Sequence, residues 1–384
     1  MTKPRTRSTA RIIEQLAAAH YCPANALPSW LQGLLPFEGF YSLGVSARLA
    51  AYQWGLIKSV AASVPVISIG NLTTGGTGKT PIVIALAKGL IRAGKRIVVI
   101  SRGYGASHPL PCVRAGDPRH GDEACLIQEQ VPEALVMVGR DRIHVLNEVL
   151  QQHQPDYILL DDGFQYLRLQ RDMNILLCDG EALIGNGHLL PVGPLREPLA
   201  QIRRADVVFV TRKVSTEVLQ TVEGWIRRYH PNPNIPVLPV PFQGAGLRPV
   251  QSAQPVDIDY FAGRRIIAFS GIARPDAFER DLTEAGLHVL AHQRFPDHHA
   301  YTQADINAVL ALPDLYSDEA PMFVTTEKDW PKVRSLFPVE QQGALYTLQM
   351  LPALDGRWFY EEFLTQMPMR STRQSTQAGS PHRA

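Results

Sequence analysis

Short apolar runs alternate along the chain with stretches in which apolar residues recur every three or four positions. This alternation predicts a parallel α/β architecture. The first run, residues 65–69, is rich in β-branched side chains; a Gly/Thr-rich loop follows it, then a helical pattern over 79–92. Further strand-like runs lie at 96–100, 134–138, 157–160, 174–177 and 205–210. They are apolar on both faces, as central parallel strands covered by helices must be. After a Pro-rich interval at 231–241 comes a second set: a run at 265–269, a helix over 276–285, and runs at 322–325 and 345–348. The pattern therefore places a domain change near residues 241–255. It shows no internal repeat.

The N-terminal part reads differently. Residues 39–58 have helical periodicity, with Ser42, Ser46 and Gln53 on one narrow face and Phe40, Tyr41, Leu43, Leu49, Tyr52, Trp54, Leu56 and Ile57 covering the remainder. Pro36, Glu38 and Arg48 interrupt the surrounding apolar stretch, so it cannot supply the unbroken run of about 18 residues that a membrane span needs. A helix lying in a membrane interface fits the pattern, with Arg48 and Lys58 reaching toward headgroups. A core helix or a dimer interface would show the same spacing. Near the start, Glu14 and Gln15 break the only candidate for a signal-peptide apolar core.

Composition narrows the class. Across 384 residues, 38 Lys and Arg against 36 Asp and Glu leave a formal charge of +2, which argues against a general nucleic-acid binder. The 45% hydrophobic content is that of a globular chain, too long for one core. Cys22, Cys112, Cys125 and Cys178 are far apart and form no C-x-x-C pair, so no thiolate zinc site is expected.

The sharpest chemical signal is Thr73-Thr74-Gly75-Gly76-Thr77-Gly78-Lys79-Thr80, between a strand and a helix. In that context the glycines let backbone N–H groups turn toward a phosphate, Lys79 supplies a cation and the Thr80 hydroxyl a ligand for Mg²⁺. Thr73 stands where such loops usually begin with Gly. A second signal is the strand that ends in Asp161-Asp162-Gly163. Acids at such a strand end hold Mg²⁺ in phosphoryl transfer, and two adjacent carboxylates repel unless a cation sits between them.

An ordered series of motifs then resembles tetraacyldisaccharide 4'-kinases: Gly70-Asn-Leu-Thr-Thr-Gly-Gly-Thr-Gly-Lys-Thr-Pro81, Ser101-Arg-Gly-Tyr-Gly105, Gly121-Asp-Glu123, Asp161-Asp-Gly-Phe-Gln165, Leu190-Pro-Val-Gly-Pro-Leu-Arg-Glu-Pro198, Phe269-Ser-Gly-Ile-Ala-Arg-Pro275, Asp297-His298 and Thr325-Thr-Glu-Lys-Asp329. The resemblance covers roughly residues 28–365. It implies a P-loop kinase-like parallel sheet flanked by helices, with a smaller second α/β domain and an N-terminal membrane-interface helix. It also implies ATP as phosphate donor with Mg²⁺, a lipid disaccharide 1-phosphate as acceptor, and residence at the cytoplasmic face of the Gram-negative inner membrane. On this reading residues 1–27 are an extension, 28–60 the interfacial region, 61–245 the nucleotide-binding domain, 246–368 the smaller domain and 369–384 a disordered tail. No feature points to nucleic acid or to an obligate protein partner.

The resemblance makes Lys79 and Thr80 the phosphate and metal contacts, Asp161 and Asp162 the metal-side carboxylates, and Asp122 the catalytic base with His298 as its partner. Spacing alone does not bring Asp122 and His298 together: Asp122 equally suits a helix start, and His298 a solvated position. Arg196 and Glu197 suit substrate phosphate or a surface ion pair. Arg102 and Tyr104 suit the same pocket or loop packing. Tyr166 stands where the family's Asp-Asp-Gly-Phe-Gln run continues with His. Two other readings share the loop. A regulatory ATPase of the deviant Walker type would carry a Lys at the position of Thr74, and a GTPase-like metallochaperone would need an Asn-Lys-x-Asp box, of which Glu327-Lys328-Asp329 is only a partial echo.

Overall fold

The structure is a computed structural model that describes residues 19–22, 27–103, 120–252, 255–272, 274–297, 299–316 and 322–365. Tyr104, His298, residues 1–18 and the expected tail at 369–384 lie outside the described residues. The chain forms two compact units. The larger takes its described residues from within 19–241 and from 352–365, the smaller from within 242–351.

In the larger unit, helix α1 (Leu35–Gln53) precedes β1 (Val66–Asn71), α2 (Lys79–Arg92), β2 (Ile97–Ser101), α3 (Asp122–Gln130), β3 (Leu135–Val138), α4 (Arg142–Gln152), β4 (Tyr157–Asp161), β5 (Met173–Asp179), β6 (Val207–Arg212), α5 (Thr216–Tyr229) and the first half of β7 (Val237–Pro249). The strand order is β3–β2–β4–β1–β5–β6–β7, and every neighbouring pair is parallel. Every residue of β1 and β2 is buried, which explains why these runs are apolar on both faces. On one face Val66, Val98, Ile100, Ile158 and Leu160 meet Val145, Leu146 and Val149 of α4. Leu176, Val208 and Val210 meet Val222 and Ile226 of α5. After β4 the chain passes to the far side of β1, so the strand order reverses there. The crevice at the carboxyl ends of β4 and β1 is where an open α/β sheet places its ligand.

The Pro-rich interval proves to contain a strand. The Pro236 carbonyl accepts from Val208 N–H (3.0 Å), and with a period of two, residues 238 and 240 also face β6. Pro239 and Pro241 therefore turn their missing donors away from that neighbour, which is how a strand tolerates them. On that opposite side the Pro241 carbonyl accepts from Ala353 N–H at 2.8 Å. Residues 352–365, which the sequence assigns to the second domain, thus return to the larger unit. Phe359 is buried edge-on against Phe209 at 5.8 Å, and Gly356 lies against Gly89 of α2.

The smaller unit holds the second half of β7, then β8 (Arg265–Ser270), α6 (Pro275–Glu284), β9 (His288–Arg294), α7 (Gln303–Leu310), β10 (Met322–Thr326) and β11 (Leu345–Pro352), in the order β7–β11–β10–β8–β9. Alternation along β8 sends Ile266 and Ala268 to Phe278 and Leu282 of α6, and Ile267 and Phe269 to Ile306 and Val309 of α7. Strand β9 ends the sheet order and is half-exposed, so its sequence has only Val289-Leu290-Ala291 as an apolar run, flanked by His288, His292, Gln293 and Arg294.

Helix α1 runs earlier than its periodicity suggests and stops before Gly55, whose φ is 72°. Its docked face is Glu38, Tyr41, Ser42, Val45, Leu49 and Tyr52, successive turns of one side, while Phe37, Phe40 and Leu43 are 60%, 75% and 68% exposed. Among the described residues no helix is long and apolar enough to cross a membrane.

A Cβ added at Gly89 would lie 2.1 Å from the Gly356 carbonyl carbon, a backbone contact with no flexible end to yield. Gly89→Ala should therefore lower stability by roughly 1–3 kcal/mol, read as a lower urea midpoint in equilibrium unfolding. An unchanged midpoint would mean that the 356–358 turn is free to move off α2.

Candidate active site

The Gly/Thr-rich loop leaves β1 at Asn71 and becomes helix α2 at Lys79, with Gly75 and Gly78 at φ of 94° and 80°. Side chains with a Cβ rarely adopt that region, so the glycines let the loop turn. Its shape is held from outside: Thr74 N–H donates to the Pro194 carbonyl (2.7 Å), the Thr211 hydroxyl to the Thr77 carbonyl (3.0 Å) and Arg212 to the Gly76 carbonyl (3.1 Å). Thr73 is buried and bridges to Leu195, while Asn71 donates to the Thr73 carbonyl at 2.9 Å. Thr80 occupies the second position of α2. The Thr77 hydroxyl is buried and has no hydrogen-bond partner among the described residues.

Asp161 closes β4, and the pairing register sets β4 against β1 so that Asp161 lies opposite Ile69. One of its oxygens accepts from the Ser101 hydroxyl at 2.9 Å; the other, Oδ1, is buried without a partner among the described residues. Burial pushes its pKa up to about 6, with the charges of Glu123 and Asp162 adding to the shift against the pull of Lys79. Asp162 is its opposite. It adopts a left-handed conformation (φ 49°), and its two oxygens receive Arg196 Nη1 at 3.0 and 2.9 Å, with Lys79 Nζ at 3.5 Å. Burial works to raise its pKa, but Lys79 and then Arg196 hold it well below the usual carboxylate range. Lys79 Nζ also donates to Asn71 Oδ1 at 3.2 Å.

Asp122 is the first residue of α3, after Gly121 at φ 94°, and its neighbour Glu123 acts electrostatically on Asp161. The α3 N-terminus and the acidic pair thus share one electrostatic environment. Arg102 is exposed just beyond β2 and acts on Arg142. Glu197 is 2% exposed and pairs with Arg204, whose guanidinium lies 4.4 Å over the Phe164 ring; burial raises the Glu197 pKa despite that partner.

Several participants carry no motif of their own. Arg142, 3% exposed, donates to the Asp162 carbonyl at 3.0 Å and has Tyr166 stacked 5.1 Å from its guanidinium. Tyr166, in the place of the family's His, also reaches Asp141 at 3.3 Å. Asn71, Ser101, Glu123 and Gln165 sit inside the quoted motifs, where only the more reactive neighbours drew attention.

The family profile described as Tetraacyldisaccharide-1-P 4'-kinase matches residues 30–367. The chain belongs to this family. Curated relatives named tetraacyldisaccharide 4'-kinase include those of Geobacter metallireducens, 40% identical over 76% of this chain and 86% of the relative, and Pelobacter propionicus, 38% identical over 80% and 84%. A crystal structure of LpxK from Aquifex aeolicus in complex with ATP is 29% identical, with a TM-score of 0.68, and covers 88% of this chain and 99% of that one. Kinase-family membership along nearly the whole chain sets aside the regulatory ATPase and metallochaperone readings, which rest on the loop alone.

The raised pKa of Asp161 has a signed consequence. An unfolded Asp titrates near pH 3.9, so between about pH 4 and 6 the folded state holds the extra proton, and stability is lost as pH rises through that window. Asp161→Asn removes the penalty while keeping a partner for Ser101. Without ligands, this variant should be more stable than the parent by about 3 kcal/mol at pH 8, the gap closing at pH 4. Denaturant titrations at the two pH values test this; a gap independent of pH would refute the assignment.

Proposed function

We propose that the chain transfers the γ-phosphoryl group of ATP to the 4'-hydroxyl of a tetraacylated disaccharide 1-phosphate. The observation that carries this reading is the conjunction of the strand–loop–α2 phosphate loop with the Asp161–Asp162 pair one strand away, in a chain whose family is defined by that reaction. N–H groups at the start of α2 and the loop receive phosphate oxygens, and the Lys79 ammonium balances their charge. The 4'-oxygen forms a bond to the γ-phosphorus as the bond to the ADP oxygen breaks, and the hydroxyl proton passes to Asp122 with His298 in support. Arg102, Arg196 and Tyr104 serve substrate phosphate and the pocket wall, while Glu197 supports Arg204 behind it.

The residues also fit Mg²⁺. Asp161 offers a buried oxygen without a partner among the described residues, Thr80 offers a hydroxyl at the α2 start, and Asp162 stands next in line. Mg²⁺ usually takes one or two carboxylates together with phosphates and water, and one or two carboxylates are what this strand end offers. When bound there, the ion would supply positive charge against that of the transferring phosphoryl group.

The lipid acceptor and the exposed apolar side of α1 support a further part of this reading, that the protein works at a membrane surface, taken to be the cytoplasmic face of the inner membrane. Phe37, Phe40 and Leu43 project from α1, and Trp54 and Leu56 beyond it are 74% and 75% exposed. Such a face with aromatic residues seats a helix at headgroup depth.

With Mg-ATP and the disaccharide 1-phosphate, purified protein should yield the 4'-phosphorylated product by mass spectrometry. Lys79→Ala should lower turnover at least about a hundredfold, because a preorganised cation on the transferring group is lost. Near-native turnover in that variant would overturn the phosphate-loop assignment. Phe40→Ser with Leu43→Ser should weaken co-sedimentation with anionic phospholipid vesicles roughly thirtyfold, from the apolar area withdrawn. Unchanged sedimentation would refute the α1 membrane contact.

A further inference from the structure

The docked face of α1 carries polar groups beside Val45 and Leu49, and the hydrogen bonds of the helix lead into the site. Glu38 accepts from Leu189 N–H at 2.7 Å and lies 2.9 Å from His188 Nδ1. The Tyr41 hydroxyl donates to the Arg196 carbonyl at 2.9 Å, and Arg48 donates to the Gln165 carbonyl. Both acceptors belong to residues that also make a contact at the phosphate site through other groups. Arg196 donates its N–H to the Leu72 carbonyl at 2.8 Å and clamps Asp162 with its guanidinium. Gln165 donates to the Asn71 carbonyl at 2.9 Å, and the Asn71 side chain receives Lys79. Two short routes therefore join α1 to the Lys79–Asp162 pair, one through residue 196 and one through residues 165 and 71.

We propose that Tyr41 and Arg48 are positioning residues for phosphoryl transfer: by holding the carbonyls of Arg196 and Gln165 they fix the Arg196–Asp162 clamp and the Asn71–Lys79 contact. This rests on the kinase reading and adds to it, since neither residue belongs to a nucleotide motif. The arrangement gives one helix two jobs on two faces. Its outward residues Phe37, Phe40 and Leu43 are free of these contacts, while the half-buried Tyr41 and the more exposed Arg48 set the geometry of groups that meet the reacting phosphate. Carbonyl oxygens are useful targets for such control, because a hydrogen bond to one restrains a whole planar peptide unit next to the Cα from which the side chain leaves.

The test is Tyr41→Phe combined with Arg48→Met, which removes both donors and keeps their bulk. Turnover at saturating ATP and lipid acceptor should fall about tenfold, because slight misplacement of orienting groups is felt mainly in the rate. Both KM values should move by less than about threefold, since the phosphate loop and acceptor contacts remain. Vesicle binding should be unchanged, and the thermal midpoint should shift by less than about 2 °C, because one hydroxyl and one surface guanidinium are lost. Arg48→Lys alone, which keeps a donor, should retain most of the turnover. Turnover of the double variant within about twofold of the parent, per folded molecule, would overturn the proposal, being too little for a positioning contact. So would a loss that only tracks a lowered midpoint or lowered vesicle binding, which would make the two residues anchors of the helix. Phe40→Ser with Leu43→Ser, assayed on detergent-dispersed acceptor, separates the two readings: it should retain turnover while losing vesicle binding. Loss of turnover in the parent protein itself would instead strike the kinase reading.

Discussion

Two neighbouring carboxylates at the end of one strand cannot both be ionised in the same low-dielectric surroundings, and the larger unit resolves this by giving them different ones. Asp161 is buried against Ser101 with one oxygen left open, so its proton is held up to about pH 6. Asp162 is turned by a left-handed backbone toward Lys79 and Arg196 and stays ionised. The two charges are thereby prepared for different tasks before any ligand arrives. One keeps a buried oxygen without a partner among the described residues; the other already balances the ammonium of Lys79.

The loop itself is shaped more by its neighbours than by its own sequence. Pro194, Thr211 and Arg212 fasten three of its peptide groups, and all three lie more than a hundred residues away in the chain. Preorganisation of this kind matters for charge stabilisation, because donors that are already oriented need no reordering when phosphate binds. Residues 190–196 thus serve the site twice, through their backbone on the loop and through Arg196 on Asp162.

Helix α1 shows how amphipathicity can be misread. Its exposed side is its apolar one, and its buried side holds the charged Glu38 and the hydroxyl of Tyr41, each with a partner. Burying a polar group is tolerated when it is hydrogen-bonded, so a helix can dock by specific contacts and keep its apolar residues for another surface. Spacing alone identifies such a helix, but not which side meets the protein.

By itself the sequence determined the parallel α/β architecture, because strands buried on both faces must be apolar at consecutive positions, and it located the phosphate loop and acidic pair, because those chemistries need fixed residues at fixed spacing. It also carried the family in the order of its motifs. Only the tertiary structure decided that 237–249 is a strand, since Pro239 and Pro241 are tolerable there solely because they face away from β6, and that 352–365 packs on α2, since Gly89 and Gly356 meet only in space. It likewise decided the opposed states of Asp161 and Asp162 and the recruitment of Arg142, Asn71 and Glu123. These depend on burial and on charges brought together across different strands and helices, and no local spacing encodes the distance between residues that only folding makes neighbours.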